Sequence, residues 1–181
     1  QIKIFDFNIM DLKQYIREIP DWPKKGVNFK DITPLLENAE VFKFVVDELA
    51  KPYLEKKIDL IVGIDARGFI FASALAYKLG AGLAIVRKKG KLPGKTINHD
   101  YALEYASGAV EMREDAIKPD QSVVIVDDLL ATGGTMEAAI KLVGQLGGKI
   151  EGISFLIDLA FLKGREKFKN YPIYSLISYE S

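Results

Sequence analysis

The chain has no cysteine, which excludes disulfides and every metal site built on thiolates. It has one histidine, His99, too few for a histidine metal cluster, and no catalytic role is assigned to it. It has no net charge. Lys and Arg number 25 against 25 Asp and Glu, so no global positive field exists to hold nucleic acid or an anionic membrane. No apolar run approaches the roughly 20 residues of a membrane span, and no cleavable signal is evident; a cytoplasmic location is expected. What the sequence does have is a hydrophobic content of 49% in 181 residues, which rules out wholesale disorder and suffices for one α/β domain spanning 1–181. Residues 1–9 (QIKIFDFNI) precede Met10 and are read as an extension upstream of the natural start.

Strand patterns alternate with helical ones. Residues 59–64, 83–86, 109–112, 122–126, 150–157 and 173–177 read as strands. Helical spacing occurs over 11–19, 37–50, 69–79 and 136–146, with Val41, Phe44, Val45 and Leu49 on one face of the second. Pro20 and Pro23 stop the first helix, Pro52 ends or kinks the second, and Gly147-Gly148 caps the last. Residues 21–34 read as irregular, and 88–108, basic at the start and aromatic later, show no helical period. The pattern predicts a doubly wound, mostly parallel sheet of about five strands with flanking helices. A small N-terminal hood (10–36) and a mobile lid (88–108) are expected to fold over the sheet's carboxyl edge.

The most informative stretch is VVIVDDLLATGGT, residues 123–135. Four apolar residues, three of them Val, read as a buried parallel strand. Asp127 and Asp128 follow at its carboxyl end, then a turn of small residues, then a helix. Ligands of open α/β sheets bind beyond the carboxyl ends of strands, and a helix N-terminus offers free N–H groups to a phosphate. One segment thus presents acids beside a phosphate cradle, which suits a sugar phosphate. Two adjacent Asp would repel each other unless something occupied them. No Gly-Lys-Ser/Thr follows, so this is not a Walker A loop, and the strand ends in acids instead of the Gly-x-Gly of dinucleotide sites.

Three further segments carry candidate chemistry. Strand 60–64 ends in Asp65-Ala66-Arg67-Gly68-Phe69, a second strand-to-helix turn, where Arg67 and free N–H groups could face an anion. Arg87, Lys88, Lys89 and Lys91 crowd around Gly90, giving local positive charge in a neutral chain. The lid beyond contains Glu104 between aromatic neighbours, a setting that raises a carboxyl pKa and fits it for proton exchange; Gly94 and Gly108 are its candidate hinges. In the stretch GVNFKDITP, Phe29 in an irregular loop could stack on a planar base while nearby main chain reads its edge.

Taken together, PDWPKKGVNFKDITPLL, GIDARGF, RKKGKLPG, LEY, VVIVDDLLATGGT and LKGREK resemble the type I phosphoribosyltransferases, and within them the branch that takes adenine. The resemblance runs from about residue 19 to residue 180. It implies transfer of the 5-phosphoribosyl group from phosphoribosyl pyrophosphate (PRPP) to N9 of adenine, giving AMP and pyrophosphate, with Mg²⁺. Asp127 and Asp128 would hold the ribose hydroxyls, and Ala131, Thr132, Gly133, Gly134 and Thr135 would cradle the 5′-phosphate. Arg67, Lys88 and Lys91, with Ala66 and Arg87 nearby, would face the pyrophosphate. Phe29 would stack on adenine, with the main chain of Asn28 and Lys30 at its edge, and Glu104 would exchange the proton. The metal would be held through PRPP, with Asp127 and Asp128 nearby and no direct protein ligand. Family members pass the residue matching Arg87 across a dimer interface, so a homodimer is expected, as is a strained peptide near Asp65-Ala66, a candidate for the cis form. Ala66 stands where Ser is frequent, Lys30 where Arg is common and Asn28 where an apolar residue is usual. The rival readings are an enzyme for another purine base and a non-catalytic PRPP-binding regulator.

Overall fold

The computed structural model describes residues 10–103 and 106–181, so the proposed extension 1–9 and Glu104 lie outside the described residues. The chain forms two compact units, one ending at Val45 and one beginning at Val46.

In the first unit, Asp11 accepts the Lys13 N–H at 3.1 Å and caps a single 3-10 turn, Leu12–Tyr15. The helix expected over 11–19 stops there. Its last residues form β1 (Arg17–Ile19), paired antiparallel with β2 (Phe29–Asp31). The reason is cross-strand charge: Arg17 meets Asp31 at 3.4 Å, and Glu18 meets Lys30 at 2.7 Å. Opposite charges facing across a ladder stabilise it, which a helical-spacing count cannot register. The segment read as irregular over 21–34 therefore contains a strand, and Phe29 begins it. Asp31 then accepts both the N–H and the hydroxyl of Thr33 at 2.9 Å, starting α1 (Thr33–Glu37). Asn38 accepts the Glu40 and Val41 N–H groups at 3.2 Å, and α2 (Ala39–Ala50) follows. It ends at Ala50, where Lys51–Tyr53 tightens into a 3-10 turn around Pro52.

The second unit is a seven-stranded sheet in the order β5-β6-β4-β3-β7-β8-β9. Its members are β3 (Leu60–Ile64), β4 (Gly82–Lys88), β5 (Thr96–Leu103), β6 (Ala106–Arg113), β7 (Ser122–Leu130), β8 (Lys149–Leu159) and β9 (Ile173–Tyr179). The parallel core β4-β3-β7-β8-β9 has five strands. The two additional strands come from the lid, which is an antiparallel β5–β6 hairpin joined to β4. Gly108 is accordingly not a hinge: it lies inside β6, with the Tyr101 ring laid over it.

Helices α3 (Gly68–Leu79) and α4 (Gly134–Gln145) complete the βαβ units. Alternation along the strands decides what meets each helix. Val62, Ile64 and Ile125 join the cluster that contains Leu142 and Val143 of α4. Gly63 points the other way, where a Cβ would lie 2.7 Å from Ala72 Cβ of α3. With both faces covered, β3 is buried along its whole length and reads as a continuous apolar run. Behind it, Tyr53 and Ser154 share a buried hydrogen bond of 2.7 Å.

Candidate functional site

Strand β7 is longer than its apolar pattern suggests. It continues through Asp127 and Asp128 to Leu130, because β8 keeps pairing with it as far as Leu130↔Asp158. On its other side, β3 pairs only as far as Gly63↔Val126. The two acids thus lie within the strand, not after it, at the point where one neighbouring strand has stopped. This is a notch at the carboxyl edge of the sheet.

Each acid has its own surroundings. Asp128 is buried and pairs with Arg67 at 2.7 Å. Asp127 accepts the Asp128 N–H at 2.8 Å. Burial pushes the Asp127 carboxyl well above the usual range, and the Asp128 charge pushes it further. Burial also raises Asp128, against the opposing pull of the Arg67 guanidinium. Gly68 explains why a glycine must follow Arg67. A Cβ there would stand 2.7 Å from Asp127 Oδ1 and 3.0 Å from Asp127 Cα, so any side chain would push the acid aside. The peptide between Asp65 and Ala66, in the same turn, is cis.

The small-residue loop follows at once. Gly133, at φ 79°, turns the chain into α4, whose first N–H groups face the loop. A cavity of about 120 Å³ is lined by Ala131, Thr132, Gly133, Gly134 and Thr135 together with Asp127. Asp127 and the small-residue loop read from the sequence therefore share one cavity, at the N-terminus of a 12-residue helix, with Asp128 next in the strand.

The basic segment is tied to the DARGF turn through Arg87. Its Nε donates to Asp65 Oδ2 at 2.9 Å and its Nη1 to the Lys91 carbonyl at 3.1 Å. Lys88 and Lys91 are exposed. Glu111, unremarkable in the sequence, anchors this loop. Buried in β6, it accepts the N–H groups of Lys91 and Leu92, each at 2.8 Å, and the Thr96 hydroxyl at 3.2 Å. Burial alone would raise its pKa, but the N–H groups of Leu92, Gly90 and Lys91 outweigh that and hold the carboxylate ionised. Charge-assisted bonds of this kind are worth about 1.5–3 kcal/mol each. In Glu111→Gln, amide hydrogen exchange at Lys91 and Leu92 is expected to quicken at least tenfold, while exchange in β7 stays as it was. Equal rates in both proteins would remove Glu111 from the support of the loop.

In the first unit, the side chains of Asn28 and Lys30 are engaged within the β1–β2 hairpin. Asn28 and Lys30 both donate to Glu18, each at 2.7 Å, which draws the Glu18 pKa down. Phe29 packs edge-on with Trp22, ring centroids 4.4 Å apart at 67°. Trp22 is half exposed and widens the aromatic surface. Sequence reasoning passed over it although it lies in the quoted segment PDWPKKG. His99 is half-buried, with Nδ1 2.8 Å from the Asp100 carbonyl.

Known proteins match this arrangement closely. Residues 35–179 match the phosphoribosyl transferase domain family. Adenine phosphoribosyltransferase from Thermoanaerobacter pseudethanolicus superposes with a TM-score of 0.90 at 52% identity, covering 93% of this chain and 98% of that one. The enzyme from Rhodothermus marinus gives a TM-score of 0.90 at 46% identity, over 93% of this chain and 96% of the other. The Saccharomyces cerevisiae enzyme, solved with an imino-altritol bisphosphate and adenine, gives 0.85 at 40% identity, over 91% and 95%.

Proposed function

This chain belongs to the phosphoribosyltransferases and, within them, to the adenine phosphoribosyltransferase family, and from that premise we propose that it transfers the 5-phosphoribosyl group of PRPP to N9 of adenine, forming AMP and pyrophosphate. The observation that carries this reading is the single cavity shared by Asp127 and the 131–135 loop, beside the Arg67–Asp128 pair.

The roles follow from the chemistry. As the bond from C1 to pyrophosphate breaks, positive charge grows on the ribose ring and negative charge on the leaving group. Asp127 and Asp128 accept hydrogen bonds from the ribose hydroxyls and place negative charge beside the ring. The N–H groups of Ala131, Thr132, Gly133, Gly134 and Thr135, with the two threonine hydroxyls, hold the 5′-phosphate. Arg67, Lys88 and Lys91 face the pyrophosphate, with the Ala66 main chain beside them. Arg87 keeps the Asp65 turn and the basic loop in register. Phe29 stacks on adenine, and the main chain of Asn28 and Lys30 reads its edge, which suits side chains already engaged by Glu18. Glu104 exchanges the proton of the purine nitrogen.

A divalent cation suits this site. Two adjacent acids whose pKa values are raised by burial gain from a second cation beyond Arg67. Mg²⁺ carried in on PRPP, with Asp127 and Asp128 nearby, would offset the charge of the leaving pyrophosphate. A homodimer is supported by apolar side chains left in the open: Ile70 and Tyr77, seven residues apart on α3, are 38% and 92% exposed, and Leu83 on β4 is 45% exposed. Among the described residues no helix is long and apolar enough to cross a membrane. We place the enzyme in the cytoplasm.

The test is AMP formation from PRPP and Mg²⁺ with adenine, hypoxanthine, guanine and xanthine supplied separately. Product with adenine alone is expected. Product with an oxopurine would keep the PRPP site and overturn the base assignment; PRPP binding with no product from any base would favour a regulator. Glu104→Leu is expected to lower turnover about 10²–10⁴-fold, the usual worth of a positioned acid or base, with PRPP affinity retained. Undiminished turnover would take Glu104 out of the mechanism.

A further inference from the structure

The LKGREK segment (162–167) has no part in the roles above, yet the structure sets it directly behind the phosphate loop. A Cβ on Gly164 would run into the Ala131 carbonyl oxygen and stand 3.2 Å from the Gly133 nitrogen. The contact is mutual: a Cβ on Gly133 would stand 2.8 Å from the Gly164 carbonyl oxygen and 3.0 Å from the Phe168 ring. Backbone therefore lies flush on backbone, and nothing larger than glycine fits on either side. Phe168 is buried and stacks on Phe155, ring centroids 6.5 Å apart, fixing the far end of the segment.

Arg165, next to Gly164, ties the segment to the sheet. Its Nε donates to Asp158 Oδ2, its Nη2 to the Ser175 hydroxyl at 2.5 Å, and its Nη1 to the Ile173 carbonyl at 3.4 Å. Asp158 is 2% exposed, and its Oδ1 has no hydrogen-bond partner among the described residues. A buried carboxylate of this kind needs its cation. Asp158 is also the residue of β8 paired with Leu130, the last residue of β7 before the loop. The guanidinium thus spans β8, β9 and the segment that backs the loop.

We propose that Arg165 is a positioning residue for the 5′-phosphate, a strut that presses Gly164 against Ala131 and Gly133 and so holds the loop's N–H groups in their anion-binding arrangement. It touches no ligand itself. The proposal rests on the reading of residues 131–135 as the phosphate cradle. Because the strut backs one loop only, its loss should be felt by ligands carrying the 5′-phosphate and not by pyrophosphate.

The experiment compares the wild-type chain with Arg165→Met, with Asp158→Asn/Arg165→Met, which removes the buried charge along with its partner, and with Gly164→Ala. Ribose 5-phosphate and magnesium pyrophosphate are titrated separately by calorimetry, and amide hydrogen exchange is followed at residues 131–135. The expected result is at least a tenfold loss of ribose 5-phosphate affinity in all three variants, pyrophosphate affinity within twofold of wild type, and at least tenfold faster exchange in the loop. Arg165→Lys, which keeps the charge but not the planar fork, should recover part of the loss. Equal losses for both ligands would make the residue merely structural and overturn the proposal. So would unchanged loop exchange. Failure of the wild-type chain to bind ribose 5-phosphate would instead sink the reading of the cradle, and the exchange measurement would still decide whether the strut holds the loop.

Discussion

Replacing both acids of β7, Asp127→Asn with Asp128→Asn, is expected to weaken PRPP binding by about 10²-fold or more, because two charge-assisted hydrogen bonds worth about 1.5–3 kcal/mol each are exchanged for neutral ones. The same site predicts an opposite effect on the fold. Burial raises the Asp127 carboxyl above its ordinary value, so at pH values between the two the folded chain holds a proton that the unfolded chain has released. The stability this contributes is present below about pH 3.9, the ordinary aspartate value. It is lost as pH rises through the raised value. Asp127→Asn alone removes the charge while its side-chain oxygen can still accept the Asp128 N–H. The variant should therefore melt about 2–4 °C higher at neutral pH, equivalent to about 1 kcal/mol for a chain of this size. The advantage should vanish toward about pH 4. Calorimetric scans across that range, beside PRPP titrations, measure both effects. A variant that binds PRPP undiminished refutes the ribose assignment, and one that melts lower at neutral pH refutes the account of the buried acid.

Arg67→Met should damage binding and stability together. Arg67 is the cation 2.7 Å from the buried Asp128 carboxylate and is also assigned to the pyrophosphate. Removing one partner of such a pair leaves a buried charge uncompensated, at a cost of about 3–5 kcal/mol when fully buried. Arg67 is partly exposed, so about 1–3 kcal/mol is expected here. The pH dependence identifies the cause. Without Arg67 the Asp128 pKa rises further, so the deficit against wild type should be small below the ordinary aspartate range and grow as pH rises. Adding Asp128→Asn to Arg67→Met should recover most of the lost stability and none of the lost turnover, which is expected to fall about 10²-fold. A deficit that does not change with pH, or a double variant no more stable than the single one, would mean that the pair does not carry the effect.

The parallel core was legible because both faces of its strands are covered. Residues 60–64 and 123–126 are apolar without interruption, and that run survives reading one residue at a time. The loops were legible because their chemistry is local: two acids, a cluster of cations and a run of small residues. Features that depend on distant partners were not. Arg17, Glu18 and Ile19 look helical until Phe29, Lys30 and Asp31 are set opposite them. The lid has no helical period, yet it forms strands because β4 offers an edge. Glu111 is one of many acids until its oxygens meet the N–H groups of Lys91 and Leu92. Gly164 is an ordinary turn glycine until Ala131 is found against it.

The joint between the lid and the sheet has a mechanical consequence. Among the described residues, eight register pairs bind β5 to β6 and two, Arg87↔Glu111 and Lys88↔Val110, bind β6 to β4, while Ile97, Tyr101, Val110 and Met112 of the hairpin join the cluster that holds Leu142 and Val143 of α4. The hairpin is therefore clamped twice, at the end of β4 that carries Arg87 and Lys88 and along the helix that opens at the 131–135 loop. A strain set up at either clamp is carried by β6 to the other, so that the basic loop and the small-residue loop share one frame.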